Sequence, residues 1–298
     1  MEKNNNNNFK VPSSKELKKL QDELVDTILT KPEELKKIIN VQLQSRNGFY
    51  NYSLHNLILA DYQLFMRTGE GIEILAPYKV WEEKGRQVKK GEKALRVLAP
   101  VFKKEKDKET GEEKEYLAYF MRVPVFDLSQ TIGEPLEKDY TVNKTLIKFE
   151  DIRKRVKYPI FESNKQLTRA STDGKSIKIS KHISDTQKIC SLLHEIGHIY
   201  LHFDKNRNEI TTPIKELEAE AISFIVSSYL GIDNHESGAY IINWAGENSL
   251  DLLKGKGKRI INTSMKIIKD LQLTDWIYSN NQEAVFQDAS ERGMGVIT

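Results

Sequence analysis

His194, Glu195 and His198 stand in the order H-E-x-x-H, inside a run that reads as helix from about Asp185 to His202. Residues four apart share a helix face, so the two imidazoles can meet at one ion with Glu195 beside them. Neutral imidazoles suit Zn2+, and a catalytic site needs a third protein ligand plus a water. Glu195 would then take a proton from that water as it attacks a carbonyl carbon. The flanking Ile189, Leu192, Leu193, Ile196 and Ile199 are apolar, as a buried active-site helix requires. In such surroundings Glu195 needs a partner for its charge, and a metal-bound water supplies one.

The third ligand is expected from the carboxylate-rich helix that follows, Lys215 to Ile225. Glu218 has Ala221, Ile222 and Ile225 at its three, four and seven spacings, which turns it toward the core. Glu216 and Glu220 have more polar neighbours at the same spacings, so helical phase selects Glu218. His202 continues the series but lies about 12 Å along the axis from His194, too far to share an ion. It is expected to support the site or the fold. Leu201 and Asp204 stand where a metzincin needs glycine and histidine, which excludes that class.

Several elements must position these groups. The 298 residues suggest two domains. Leu17, Leu20, Leu24 and Ile28, then Leu35, Ile38, Ile39 and Leu43, recur at helical spacing, with Pro32 opening the second helix. Ser53 suits the cap of a third helix to Met66. The period then changes: Val80 and Trp81 lead into a strand over Ala94–Ala99, and Tyr116–Phe126 reads as another, with the charged stretch from Asp107 to Lys114 as hairpin loop. After a linker, a helix is expected around Leu146–Val156. A strand over Ser176–Ser180 could pair with an extended peptide along a cleft. Helices near Glu236–Ala245 and Ile260–Leu271 close the chain. The fold class is thus α+β in two domains: a tail over 1–12, a helical and β-hairpin domain over 13–132, a linker over 133–144, and a mostly helical zincin-like domain over 145–298.

Composition narrows the partners less than distribution does. The net charge is only +3, yet Lys79 to Lys106 is locally basic. Cys190 is the single cysteine and can form no internal disulfide. With no apolar run of about 18 residues and no signal pattern after Met1, a soluble cytoplasmic protein without a membrane partner is expected.

Tyr52-Ser53-Leu54-His55-Asn56, the stretch from Tyr78 to Lys93, and Val125-Phe126-Asp127-Leu128-Ser129-Gln130-Thr131 together resemble the N-terminal domain of ArdC-type antirestriction proteins. That resemblance covers roughly residues 15 to 132 and implies single-stranded DNA binding by a protein of mobile elements. The remainder is similar to the metallopeptidase domain that accompanies it and, more distantly, to the ImmA/IrrE peptidases. In those, the glutamate of an E-A pair after the zinc helix is the third ligand. Glu218-Ala219 and Glu220-Ala221 both fit, and phase favours Glu218.

Sequence-tolerant binding of a single strand needs cations for phosphates and aromatic faces for bases. Arg86, Lys89, Lys90, Lys93 and Arg96 offer the former; Tyr52 and Trp81, with Tyr50 and Tyr78, offer the latter. Asn56 and Gln130 either contact bases or tie loops together. Gly85 and Gly91 allow tight turns that present the basic residues between them. The expected function is protection of incoming mobile DNA by a single-strand binder with a peptidase-like centre holding Zn2+, or Mn2+ or Co2+ in its place, and a protein or peptide as its second partner. The alternatives are a regulatory metalloprotease that cleaves a repressor, and a non-catalytic DNA-binding protein stabilised by its metal.

Overall fold

The structure, a computed structural model, describes residues 12–44, 49, 52–106, 113–136, 147–164, 169–203, 210–232, 234, 238, 255–274 and 276. The expected tail, hairpin tip, most of the linker, Tyr50 and nearly all of the helix near Glu236–Ala245 lie outside them. Helices and strands mix in two units, an α+β arrangement. The units are Met1–Leu24 with Gly48–Pro135, and Val25–Asn47 with Leu136–Thr298. Helix α1 (Ser14–Ile28) crosses from the first into the second, and α2 (Pro32–Gln44), opened by its proline, belongs wholly to the second.

In the first unit α3 (Leu54–Thr68) begins at Ser53, whose hydroxyl accepts from Asn56 N, and stops at Gly69, where φ is 78°. Strands β3 (Leu95–Lys106) and β4 (Glu113–Asp127) form a long antiparallel ribbon from Leu95↔Val125 to Lys106↔Glu113, with β1 (Leu75–Ala76) on the far side of β4. Val80 and Trp81, which lead toward β3 in sequence, lie in a short helix, α4 (Tyr78–Glu83). Trp81 is fully buried and donates from Nε1 to Phe126 O, so its ring anchors α4 to β4. Strands β2 (Arg86–Val88) and β5 (Thr131–Gly133) pair antiparallel. Leu17, Leu59 and Leu98 form a core cluster joined by Leu20, Leu24 and Phe120.

Asp127 ties the end of β4 to its surroundings. Its buried carboxylate accepts from Glu73 N at 2.8 Å, Ile74 N at 3.1 Å, Ser129 N at 2.9 Å and Ser129 Oγ at 2.6 Å. Asp127→Asn keeps the shape but turns an amide donor toward groups that are themselves donors. It should destabilise the protein by about 2 kcal/mol, read as a lower denaturation midpoint at unchanged slope.

In the second unit β6 (Ile160–Ser163), β7 (Ala170–Thr172) and β8 (Ile177–Ser180) form a sheet in the order β6-β8-β7. This corrects one expectation: β8, over Ile177–Ser180, bonds to β6 in parallel and β7 antiparallel, so it has no free edge for a peptide. The edges belong to β6 and β7. The helices are α5 (Phe149–Arg153), α6 (Asp185–His202), α7 (Thr212–Tyr229) and α8 (Gly257–Asp270). From Leu217 onward α7 is buried almost all round, with α2, α6 and α8 against it. Asp26 accepts from Gly255 N and Gly257 N, placing a carboxylate at the start of α8.

Candidate metal centre

Helix α6 spans the residues expected of it because Ser184 caps it reciprocally: Ser184 Oγ accepts from Gln187 N, and Gln187 Oε1 accepts from Ser184 N. Its apolar residues, Ile189, Leu192, Leu193 and Ile196, are buried. Gly197 lets α7 approach; a Cβ there would lie 3.2 Å from Ala219 Cα. The close crossing brings three carboxylates of α7 to the histidine face of α6.

His194, His198 and Glu216 come together, with one donor atom of each lying within 4.8 Å of the others. The two Nε2 atoms are 3.0 Å apart, and the oxygens of Glu216 lie 3.3 Å from His194 Nε2 and 3.5 Å from His198 Nε2. Donors on a tetrahedral ion with bonds of about 2.05 Å stand about 3.3 Å apart. The donor set and its spacing therefore fit a divalent cation.

The electrostatics point the same way. Burial alone would push His194 down, but Glu216, Glu220 and Glu195 outweigh it and hold the imidazole up at about 10. Glu216 is held well below the usual carboxylate range by His194 and His198. A pocket that stabilises a proton so strongly is one that favours positive charge. Burial raises Glu195, partly offset by His194 and His198. Glu195 is 7 % exposed and stands beside the donor cluster without joining it.

The expected third ligand is corrected. Glu218 is fully buried, as helical phase requires, but its Oε2 lies 2.8 Å from His202 Nε2 rather than at the histidine pair. Glu216, about 40 % exposed at the side chain, takes the place beside His194 and His198. Burial alone did not single out the glutamate that lies beside the histidine pair. Glu220 Oε1 lies 3.2 Å from His194 Nδ1. The i, i+4 pairing of Glu216 with Glu220 matches that of His194 with His198, a signal present in the sequence.

Of the residues expected at DNA, five are engaged in the fold. Trp81 is buried and Tyr52 is 5 % exposed, so neither offers a face to a base. Asn56 donates from Nδ2 to Leu98 O and accepts at Oδ1 from Leu98 N and Gln21 Nε2, which holds β3 to the helices. Arg86 donates from Nε to Thr131 Oγ1, from Nη1 to Gly133 O and Glu134 O, and from Nη2 to Thr131 O, which locks β2 to β5. Gln130 is buried and donates to Glu92 Oε2 and Lys93 O.

Lys89, Lys90 and Lys93 are exposed around the turn at Gly91, where φ is 93°, and Arg96 is half-buried. Lys89 Nζ donates to Ser129 O at 2.7 Å. Tyr78 is exposed. Sequence reading missed an apolar face on the ribbon: the pairs Val101↔Tyr119 and Phe102↔Leu117 put Phe102, Leu117, Tyr119 and Met121 on one side, each about half exposed. The alternation of Leu117, Tyr119 and Met121 was its signal.

Fold and site define a two-domain α+β protein in which the two histidines of an H-E-x-x-H sequence meet a downstream glutamate. Residues 18–126 match the N-terminal domain of anti-restriction factor ArdC, and residues 154–240 match the IrrE N-terminal-like domain of the M78 peptidases. The chain is thus of ArdC type in its domain composition, and the fold agrees. The metal-free crystal structure of the antirestriction ArdC protein from the R388 plasmid superposes with a TM-score of 0.54 at 22 % identity, over 88 % of this chain and 98 % of that one. A Mn(II)-bound structure of the same protein gives 0.48 at 20 % identity, with the same coverage. An uncharacterized protein of Bacillus anthracis is 26 % identical over 88 % of this chain; the chain spans 54 % of that relative's length. Among the described residues no helix is long and apolar enough to cross a membrane.

Proposed function

We propose that this protein binds single-stranded DNA through its ArdC-type N-terminal domain and carries a divalent-metal, peptidase-like centre, protecting the DNA of an incoming mobile element from restriction in the cytoplasm. The observation that carries the reading is the joining of that domain, on one chain, to three donors spaced for a metal at His194, His198 and Glu216. Lys89, Lys90, Lys93 and Arg96 are the cations proposed to meet phosphates, with exposed aromatic side chains such as Tyr78 and Tyr119 available to bases. His194, His198 and Glu216 would hold Zn2+ or Mn2+. When bound, such an ion supplies Lewis acidity and an acidified water. Glu195 is the base placed to accept a proton, and its burial keeps it basic.

The test is binding of single- and double-stranded oligonucleotides across a salt series, with and without a chelator. Tight, salt-sensitive preference for the single strand that survives chelation is the expected result. Lys89→Ala with Lys90→Ala should then flatten the log–log salt slope by about 1.4, at about 0.7 per phosphate contact. No binding at low salt would overturn the DNA reading, and an unchanged slope would return the two lysines to ordinary surface.

The match of residues 154–240 to the IrrE-like domain favours a second reading, a regulatory protease that cuts a repressor. Metal-dependent cleavage of one defined regulator would favour it over DNA protection.

A further inference from the structure

We propose that His202 and Glu218 form a positioning relay that sets the tautomer and ring orientation of His198 as a metal ligand, an inference that rests on the metal-centre reading above. Neither residue belongs to the group of converging donors, and both are almost wholly buried. Burying a carboxylate and an imidazole beside a site has a cost that must be met by a specific arrangement.

The chain of contacts constrains where each proton sits once His202 is taken as neutral. Glu218 Oε2 lies 2.8 Å from His202 Nε2, and a carboxylate only accepts, so His202 carries its proton on Nε2. Arg259 Nη1 lies 3.9 Å from Glu218 Oε1, so a cation other than the imidazole stands near the carboxylate. Arg259 is itself held by Nη2 donating to Leu201 O at 2.7 Å. A neutral His202 protonated on Nε2 has a bare Nδ1, and that atom lies 2.9 Å from His198 Nδ1. The proton between them therefore belongs to His198 Nδ1. His198 is left with a bare Nε2, the atom that stands 3.0 Å from His194 Nε2 and faces Glu216. A metal requires that tautomer, and the far nitrogen of a ligating histidine commonly needs such a partner. Here the usual carboxylate partner acts through a second imidazole, because one turn of α6 separates His198 from His202 and brings the tilted rings to 5.1 Å between centroids.

This assigns separate work to the carboxylates of α7. Glu216 is a ligand, and Glu218 acts at one remove through His202. It also explains why the most buried glutamate of the helix is not the one at the metal.

The test uses the full chain with His202→Leu, Glu218→Leu, the double variant and Glu218→Gln. Zn2+ and Mn2+ affinities are measured by chelator competition, and the histidine tautomers by 15N NMR of the metal-free protein. Each leucine variant should bind metal 10–100-fold more weakly. The double variant should be no weaker than the worse single, because both changes break one chain. Glu218→Gln, whose amide oxygen can still accept from His202, should stay within a fewfold of the parent. In the unmodified protein His198 should carry its proton on Nδ1. Unchanged affinities in folded variants, losses that multiply in the double, or an Nε2-protonated His198 in the parent would each overturn the relay. Failure of the parent to bind either metal would instead strike the metal-centre reading, and the tautomer measurement, which needs no variant and no metal, would still decide the relay.

Discussion

Glu195→Gln should lower any peptide hydrolysis by about 10²- to 10⁴-fold while leaving metal affinity within a fewfold of the parent. The reason is geometric. Glu195 lies between the two histidines in sequence, is almost buried, and does not belong to the group of donors that converge. Its burial raises it against the opposing pull of His194 and His198, so it is a better proton acceptor than a surface carboxylate. Glutamine preserves size and polarity but has no basic oxygen. The check is steady-state hydrolysis of a peptide library alongside metal content. Undiminished turnover would remove Glu195 from the chemistry. A parent with no hydrolysis, and a variant equal to it in an antirestriction assay, would favour a non-catalytic protein stabilised by its metal.

Glu216→Ala should weaken Zn2+ and Mn2+ binding by at least about a hundredfold. Structural zinc sites draw about 10–16 kcal/mol from four ligands, roughly 3 kcal/mol each. Glu216 contacts both Nε2 atoms, at 3.3 and 3.5 Å, and its carboxylate is held strongly ionised by them. Removing it deletes one of the three converging donors and the carboxylate that lies against both Nε2 atoms. The loss should exceed that of Glu218→Gln, a comparison made in one chelator-competition series. The reverse order would restore Glu218 as the ligand.

The contrast between these two glutamates marks how far local sequence carries. H-E-x-x-H is an i, i+4 statement, the cap at Ser184 is an i, i+3 one, and the apolar flanks of α6 follow the same helical period. All depend on contacts within a few residues, and the helix ends where that reading puts them. Helical phase was also right that Glu218 faces inward. It could not say what Glu218 faces, because that depends on how α7 is turned against α6 at the Gly197–Ala219 crossing, set by residues over twenty positions apart. The same division holds in the first unit. Alternation and turn residues located the β3–β4 ribbon, but Arg86, Gln130, Asn56 and Trp81 read equally well as DNA contacts or as braces.

Sequence by itself determined the α+β class, the histidine pair with Glu195, the helix that carries them and the two resemblances, since each is written in spacing along one element. Tertiary structure alone decided that Glu216 joins the histidines, that Glu218 is taken by His202, that residues 25–47 join the second unit, and that β8 is a central strand. Those outcomes depend on which faces of separate elements meet, and that is settled by packing between distant parts of the chain.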